Sequence, residues 1–417
     1  MKLLLENIKE LVQVEEEPQL FRAGVEMQNL KNIKNAFLII SDELIKEFGP
    51  MEHLKDTYRD DDLLIEIDCS RRLVYPSYCD PHTHLVFSGS QENEFVERIK
   101  GKSSEEGSFR SNSILNAARL VHETHEETLY AEAMERIVEI LKTGTGAVEI
   151  KTGYGLNLQD ELKMLKVIKR IKKTAPLCVR STFMAANTIP EKYKENRKNY
   201  IDLIIHEMIP RIASEELADY IDVFCDRGFL SMEDAGRVLT AGLKNGLKPK
   251  IHANELGLTG GVRVGVNNKA LSADHLEYMD QEDMDYLRGS DTMPTVLPGV
   301  SFFTNGKWSP VREMINAGLP VALASGYNPC NAPSGNMNFI ASLGCLQYQM
   351  LPEEVINATT LNSAYAMGVA DRLGTICRGK TANLFITSDI SGINYIPYRY
   401  ASDLIETVIL NGEIQSL

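Results

Sequence analysis

The sequence predicts a (β/α)8 barrel of the TIM type, joined to a small β-sandwich-like domain that is built from both chain ends. Short apolar runs rich in β-branched residues alternate with longer segments of helical spacing through the middle of the chain. Both ends instead contain strand-like pieces separated by turn residues. The 417 residues also exceed the roughly 250 that one barrel needs. We therefore expect the barrel over residues 76–375 and the β domain from residues 1–75 and 376–417.

The chain ends supply the strands of the predicted β domain. The N-terminal part contains strand-like pieces at residues 36–40 and 63–67, and the C-terminal part has the same character at residues 382–387 and 407–412. Each piece is short, apolar and bounded by turn-forming residues. The pattern predicts one domain from the two ends.

Eight apolar runs supply the strands of the predicted barrel. The first is the run that precedes His82, residues 73–78. The others are residues 147–150, 178–183, 221–224, 250–252, 271–273, 295–297 and 320–324. Between them, segments such as residues 160–169 place apolar side chains at positions i, i+3, i+4 and i+7, which is typical of an amphipathic helix. Alternating strands and helices of this kind form a parallel barrel.

Composition and charge narrow the class of partner. A hydrophobic content of 43% and a charged content of 24% are ordinary for a globular protein. The net charge of -14 disfavours binding to nucleic acid or anionic membrane, so we expect a small-molecule substrate. Seven scattered cysteines without a C-x-x-C pair are typical of reduced thiols, and neither a signal peptide nor a membrane-spanning run is evident. These features predict a cytoplasmic protein.

A His-x-His pair at the end of the first run predicts a metal site. Side chains at positions i and i+2 of a strand lie on the same face, so His82 and His84 can hold one ion between them. His252 ends the fifth run and could add a third nitrogen ligand at the same end of the barrel. Three imidazoles suit zinc and iron alike. The alternative is a chance pair of histidines on a surface turn.

Further polar residues follow other predicted strands and would converge on the same mouth. Glu255 could accept a proton or bind a substrate N–H, and His275 could transfer a proton or bind a carbonyl. Tyr154 lies between two glycines, where a phenol could reach a ligand. Taken singly, these residues are equally typical of a solvated loop acid, a core histidine and an ordinary turn.

The joint pattern of motifs resembles the imidazolonepropionase family of the amidohydrolase superfamily over nearly the whole chain. The motifs are HTH at 82–84, ENEF at 92–95, KTGYGL at 151–156, SADHLE at 272–277 and YNP at 327–329. The resemblance implies a metal-dependent barrel with one divalent or trivalent ion, zinc or iron. It implies hydrolysis of the cyclic amide 4-imidazolone-5-propanoate to N-formimino-L-glutamate in histidine breakdown. It also implies a homodimer.

The resemblance also assigns roles to residues. It implies that His82, His84 and His252 bind the metal, and that His275 assists proton transfer. The residues that it implies in substrate contact are Tyr154, Glu255 and Asn328.

Three single positions and one loop depart from the family pattern. Gly326 replaces an aspartate that is both metal ligand and general base, Gln91 replaces an arginine for the substrate carboxylate, and Asn187 replaces a histidine. Residues 111–114, SNSI, replace a Gly-Gly-Gly-Ile loop. A positioned general base contributes about 10²–10⁴ in rate, and a charged hydrogen bond roughly 1.5–3 kcal/mol.

These departures leave three hypotheses open. The first is a working hydrolase in which another carboxylate replaces the missing one, with Asp222, Asp274 and Glu255 as candidates. The second is a catalytically impaired paralogue retained as a binding protein. The third is a hydrolase of another cyclic amide, in which Gln91 and Asn187 recognise a less acidic substrate.

Overall fold

The protein, a computed structural model, contains two main sheets. The structure describes residues 2–55, 58, 64–101 and 106–416. The smaller sheet is formed by β1 (Lys2–Leu11), β3 (Ile33–Ser41), β4 (Leu44–Pro50), β5 (Leu64–Asp68), β6 (Leu73–Pro76), β17 (Leu384–Thr387), β18 (Ile405–Leu410) and β19 (Glu413–Ile414). A separate short pair joins β2 (Val14–Glu15) to β16 (Ile376–Cys377). The predicted strand-like pieces of both chain ends therefore pair in one sheet, although Leu63 lies outside the described residues.

The second sheet is the predicted parallel barrel. Its strands are β7 (Tyr78–Thr83), β8 (Thr145–Lys151), β9 (Cys178–Ala185), β10 (Tyr220–Cys225), β12 (Ile251–Ala253), β13 (Ser272–His275), β14 (Met293–Val296) and β15 (Ala322–Leu323). The short strand β11 (Lys248–Pro249), which directly precedes β12, also pairs with β10. Neighbouring strands follow chain order and pair in parallel. The His84 amide donates to the Tyr327 carbonyl at 2.7 Å and the Gly326 amide to the His82 carbonyl at 3.1 Å, which joins the eighth strand to the first. The predicted α/β barrel class is confirmed.

The first barrel strand differs from the prediction. Residues 73–78 read as one apolar run that leads to His82, but Leu73–Pro76 belongs to the smaller sheet, where it pairs with β1 and β17. The chain changes sheets at Ser77, whose amide bonds to the Asn383 carbonyl, while the next amide, of Tyr78, bonds to the Gly144 carbonyl. His82 lies inside the barrel strand β7 and is buried.

Helices surround the barrel. Their bounds are α1 (Glu92–Ile99), α2 (Glu106–Glu123), α3 (Glu126–Lys142), α4 (Leu158–Thr174), α5 (Arg197–Leu203), α6 (Ile209–Ser214), α7 (Met232–Lys244), α8 (Gly261–Asn267), α9 (Gln281–Arg288), α10 (Pro298–Thr304), α11 (Val311–Asn316), α12 (Met337–Leu346), α13 (Pro352–Thr359), α14 (Leu361–Ala366) and α15 (Tyr395–Tyr398). The predicted amphipathic helix is α4, which begins where the Asn157 side chain accepts from the Asp160 amide and buries Met164, Ile168 and Ile171. Among the described residues, no helix is long and apolar enough to cross a bilayer.

The smaller sheet packs on the barrel through aromatic side chains. Phe385 of β17 stacks on Tyr75 with ring centroids 5.0 Å apart and lies at the same distance from Tyr78 of β7. The Asn383 side chain adds a hydrogen bond of 3.0 Å to the Gly146 carbonyl at the start of β8. Buried aromatic contact of this kind joins the two sheets firmly. The division of the chain into domains at residues 75 and 376 stays a prediction.

Candidate metal centre and substrate pocket

Three histidines meet at the carboxyl end of the barrel. His82 lies in β7, His84 follows that strand, and His252 lies in β12, the fifth barrel strand. Their candidate ligand nitrogens all lie within 4.8 Å of one another, and each side chain is at most 5% exposed. The barrel therefore brings together residues that are 170 positions apart in sequence, 252 against 82.

Each histidine is held through its Nδ1 atom. His82 Nδ1 lies 2.7 Å from Asp274 Oδ2, and His252 Nδ1 lies 3.0 Å from Asp222 Oδ1. His84 Nδ1 lies 2.8 Å from the Thr152 carbonyl, which can only accept, so that nitrogen carries the proton. A hydrogen-bonded Nδ1–H leaves the Nε2 lone pair for a metal. The donor set therefore fits a metal ion.

Burial keeps these imidazoles neutral, which is the form that binds metals. It lowers the pKa of His82 and of His84 well below the usual range, and the nearby His252 lowers both further. The pKa of His252 is also lowered, chiefly by burial, although Asp222 opposes the shift. Neutral imidazoles leave no proton for an incoming cation to displace.

A buried ionic cluster lies behind the histidines. Asp222, His252 and Asp274 also meet the distance requirement for a metal group. However, the Lys151 ammonium lies 2.7 Å from Asp222, 3.3 Å from Asp274 and 2.6 Å from Glu149, so a cation already occupies that side. Lys250 also contacts Glu149. Three carboxylates against two ammonium groups formally leave one negative charge, which favours a cation at the histidines.

His275 and Glu255 form a second polar group at the mouth. The His275 ring lies 5.6 Å from that of His82 and 5.3 Å from that of His252. Its Nε2 is 3.4 Å from Glu255 Oε2, and its Nδ1 is 3.3 Å from Glu277 Oε1. Glu255 Oε2 has no hydrogen-bond donor among the described residues, although it is buried. A buried carboxylate oxygen that lacks a donor is suited to accept a proton.

Tyr154 and Asn328 also lie beside the histidines. The Tyr154 ring is 5.6 Å from that of His84, and its hydroxyl is 3.9 Å from Cys330 Sγ. Asn328 donates through Nδ2 to the Gly326 carbonyl at 2.7 Å, and its Oδ1 accepts from the Cys330 amide at 2.8 Å. Asn328 thus shapes the turn after β15 while it lines the pocket.

Two adjoining pockets lie beside this centre. The inner pocket, which holds all the predicted site residues except His252 and Glu255, is lined by His82, His84, Arg110, Ile114, Tyr154, Asn187, His275, Leu297, Val300, Asn328, Cys330 and Asn331. The outer pocket has a volume of about 370 Å³ and includes Glu255 in its wall. Arg110, Cys330 and Asn331 line both pockets, so these residues lie where the two pockets adjoin.

The departures from the family pattern have structural counterparts. Gly326 has a φ of +70°, and a Cβ there would lie 2.9 Å from Val300 Cγ2 and 3.0 Å from Leu297 Cδ2. An apolar wall therefore stands where the resemblance implies a carboxylate. Gln91 donates to the Ser113 carbonyl at 3.0 Å and lines neither pocket. Asn187 lines the inner pocket and donates to the Gly153 carbonyl at 3.3 Å.

Two features of the site were not predicted from the sequence. Arg110 lies in α2, and no spacing or motif marks it as a pocket residue. Lys151 was placed after the second strand, but its pairing with Asp222 and Asp274 depends on contacts across the barrel. Only the position of Arg110 directly before the altered segment 111–114 could have drawn attention to it.

Comparisons with known proteins agree with this architecture. The sequence matches the family model described as Amidohydrolase family over residues 73–414. A protein named imidazolonepropionase from Flavobacterium johnsoniae is 48% identical over 411 residues, which cover 99% of both chains. One of the same name from Christiangramia forsetii is 46% identical over 414 residues, 99% of this chain and 100% of that one. The crystal structure of guanine deaminase from C. acetobutylicum with bound guanine shares the fold, with a TM-score of 0.74 at 13% identity over 100% of both chains. The chain therefore belongs to the amidohydrolase family.

Proposed function

We propose that this protein is a metal-dependent hydrolase of the imidazolonepropionase type, which opens 4-imidazolone-5-propanoate to N-formimino-L-glutamate in histidine degradation. The observation that carries the proposal is the set of three buried histidines, His82, His84 and His252, whose Nδ1 atoms are fixed and whose Nε2 atoms are left for one metal. Relatives named imidazolonepropionase that match 99% of the chain support the substrate.

The three histidines would hold one zinc or iron ion. When bound, such an ion acts as a Lewis acid toward the ring carbonyl and toward water. Asp274 and Asp222 orient His82 and His252, and the Thr152 carbonyl orients His84. The carboxylates also make the imidazoles better ligands, because a hydrogen bond at Nδ1 raises the basicity of Nε2.

Glu255 is the proton acceptor in this proposal. Water adds its oxygen to the carbonyl carbon of the ring, and one of its protons passes to Glu255 Oε2, which has no donor among the described residues. The ring C–N bond then breaks, and the proton moves from Glu255 to the departing nitrogen. His275, 3.4 Å from Glu255 and beside His82, is placed to hydrogen-bond the carbonyl oxygen as charge develops there. Tyr154 and Asn328 line the inner pocket beside His82 and His84.

In this proposal, Glu255 also replaces the carboxylate that the family pattern places at position 326. Asp222 and Asp274 were the other candidates, but both face Lys151 and a histidine Nδ1 and line neither pocket. The relatives named imidazolonepropionase do not favour the impaired-paralogue hypothesis, and the three histidines, which could hold a metal, support a working site in this proposal. A homodimer in the cytoplasm, without nucleic-acid or membrane partners, stays a prediction from the sequence.

Turnover by the metal-loaded protein tests the proposal. We expect protein prepared with zinc or with iron to convert 4-imidazolone-5-propanoate to N-formimino-L-glutamate, followed by NMR. His82→Ala should abolish turnover, whereas His122→Ala, which removes a side chain 68% exposed on α2, should not. Absence of turnover with both metals would refute the proposed activity.

A further inference from the structure

Among the described residues that line the inner pocket, Arg110 is the one guanidinium or ammonium group. The proposed substrate carries a propanoate tail, and a carboxylate that leaves water needs a cation or several donors to replace its hydration. We propose that Arg110 binds the carboxylate of the substrate and so selects anionic substrates; this inference rests on the proposed function.

The position of Arg110 fits a role at the tail of the substrate. Its side chain is 15% exposed and lines both the inner and the outer pocket. A ring held beside His82 and His84 would therefore direct its tail past the Arg110 guanidinium. The tail of a propanoate spans two methylene groups, which suits a cation at the entrance to the inner pocket rather than one at its base.

The contacts of Arg110 with described residues leave one edge of its guanidinium available. Its guanidinium lies over the Phe224 ring at 4.8 Å, and Nη1 contacts Glu255 Oε1. Stacking uses the face of the group, and one nitrogen serves Glu255. A guanidinium carries five N–H donors in one plane, so the other edge can take a carboxylate in the bidentate manner.

Burial strengthens the attraction of the Arg110 guanidinium for an anion. Loss of hydration lowers the pKa of Arg110, although nearby acids oppose the shift. The group still carries its charge at neutral pH, because arginine begins from a very high pKa. A cation that has lost water gains more from a second carboxylate than an exposed one does.

Other cations of the mouth are placed less well. Arg98 lines only the outer pocket, with its guanidinium 5.7 Å from the Phe303 ring. Lys151 and Lys250 are fully buried in the ionic cluster and line neither pocket. Gln91 is turned to the Ser113 carbonyl.

A shared guanidinium would also align the reacting groups. If one edge of Arg110 holds Glu255 and the other holds the tail, the distance from the tail to the proton acceptor is fixed. The ring carbonyl then faces His275, which lies 3.4 Å from the same carboxylate. Arg110 therefore positions as well as binds.

Binding of a stable ligand pair tests the inference without turnover. The probes are imidazole-4-propanoate and its neutral propanamide, titrated calorimetrically into the full-length zinc-loaded protein. We expect the unaltered protein to bind the acid on the order of 10- to 100-fold more tightly than the amide, the loss expected for one charged hydrogen-bonded contact. Arg110→Gln should reduce that ratio to about one, and Arg110→Lys, which keeps the charge but not the fork, should give an intermediate ratio.

The matched control is Arg119→Gln. Arg119 lies on the same helix, α2, with its side chain 56% exposed, and pairs with Glu123. This variant removes the same charge outside the pockets and should keep the full acid-to-amide ratio. In steady-state assays Arg110→Gln should raise KM for 4-imidazolone-5-propanoate more than it lowers kcat.

The outcomes separate this inference from the proposed function. Equal binding of acid and amide by the unaltered protein, or equal weakening of both by Arg110→Gln, would overturn the role of Arg110. If Arg110→Gln fails to fold, an unchanged ratio in Arg110→Lys would overturn it instead. A ratio that depends on Arg110 in a protein that does not hydrolyse 4-imidazolone-5-propanoate would refute the reaction and support the binding role.

Discussion

Gly326 lies at the barrel mouth, beside apolar side chains that fill the neighbouring space. Its amide bonds to the His82 carbonyl and its φ is +70°. The space in front of it is taken by Leu297 and Val300, which are buried in a small apolar cluster with Ala324 and Ala332. A Cβ at this position would lie against Leu297 and Val300, which also line the inner pocket. Restoring an aspartate is therefore not a simple reversal of the substitution.

We expect Gly326→Asp to destabilise the fold. The left-handed backbone costs about 1–2 kcal/mol for a residue with a side chain, and forcing atoms against Val300 adds roughly 1–3 kcal/mol. Urea denaturation of Gly326→Asp beside Gly228→Asp measures the difference, because Gly228 has a φ of +83° and a Cβ there would meet no described atom within 4 Å apart from its chain neighbours. Adding Val300→Ala to Gly326→Asp should recover part of the loss. Equal losses at positions 228 and 326 would show that the apolar wall is not the obstacle.

Asp274 tests the importance of the atoms that orient the histidines. Its Oδ2 accepts from His82 Nδ1 at 2.7 Å, and its Oδ1 accepts from the Ser272 hydroxyl at 2.5 Å. We expect Asp274→Asn to weaken zinc binding by about 10–100-fold, as is usual when the partner of a ligand histidine changes. Competition with a chelator of known affinity measures the zinc affinity of each variant. Ser272→Ala removes the other hydrogen bond of Asp274 and should bind zinc nearly as tightly as the unaltered protein.

At the scale of the element, the loop after β8 depends on one helix residue. Glu161 in the first turn of α4 accepts at Oε1 from the Gly155 and Leu156 amides, both at 2.9 Å. Leu156 has a φ of +55°, and a Cβ on Gly155 would lie 2.4 Å from the Glu161 amide nitrogen. The loop that carries Tyr154 is therefore packed directly on the start of the helix. The sequence predicted both the strand and the helix, but not this carboxylate between them.

The charge of Glu161 makes this contact dependent on pH. Burial raises the pKa of Glu161 to about 7 from its ordinary 4.5. The folded state thus holds a proton that the unfolded state has lost between these pH values, so the contribution of Glu161 to stability falls as pH rises from about 4.5 to about 7.

We expect the stability of the unaltered protein relative to Glu161→Gln to be lower at pH 8 than at pH 5, as judged by urea unfolding. The exposed first-turn acid Glu233 of α7 gives the control Glu233→Gln, which should show no such trend. A difference independent of pH would contradict the assignment.

The strands of the barrel were predictable because each one is a short apolar run between polar helices. The sequence missed the change of sheet at Ser77, because residues 73–78 read as one apolar run and only the pairing partners of each half distinguish the two halves.

The same limit applies to the residues of the site. His82 and His84 are two positions apart in sequence and carry a strand signal, whereas Arg110 reaches the pocket only through the placement of α2 against β10 and the Glu255 loop. Contacts between residues that are distant in sequence, rather than the local sequence pattern, determine whether such residues reach the site.

At the scale of the whole molecule, the candidate metal centre connects distant parts of the barrel. His82 comes from the first strand and His252 from the fifth, so an ion bound to both would link the two halves of the sheet. The smaller sheet is fixed to the first half through Tyr75, Tyr78 and Phe385. Unfolding of either half would therefore release the ion.

Metal binding should for this reason stabilise the whole fold. A ligand that binds only the folded state at 100 times its Kd adds about 2.7 kcal/mol to the free energy of unfolding. We expect zinc to raise the thermal unfolding temperature of the unaltered protein, a chelator to reverse the shift, and His252→Ala to lose most of it. His206→Ala removes an exposed histidine outside the centre and should keep the full shift. The same increase in His252→Ala would mean that zinc binds elsewhere. If the link across the barrel is correct, the near-ultraviolet and far-ultraviolet transitions should rise together, because the ion ties the first strand to the fifth and neither half can unfold while it is bound.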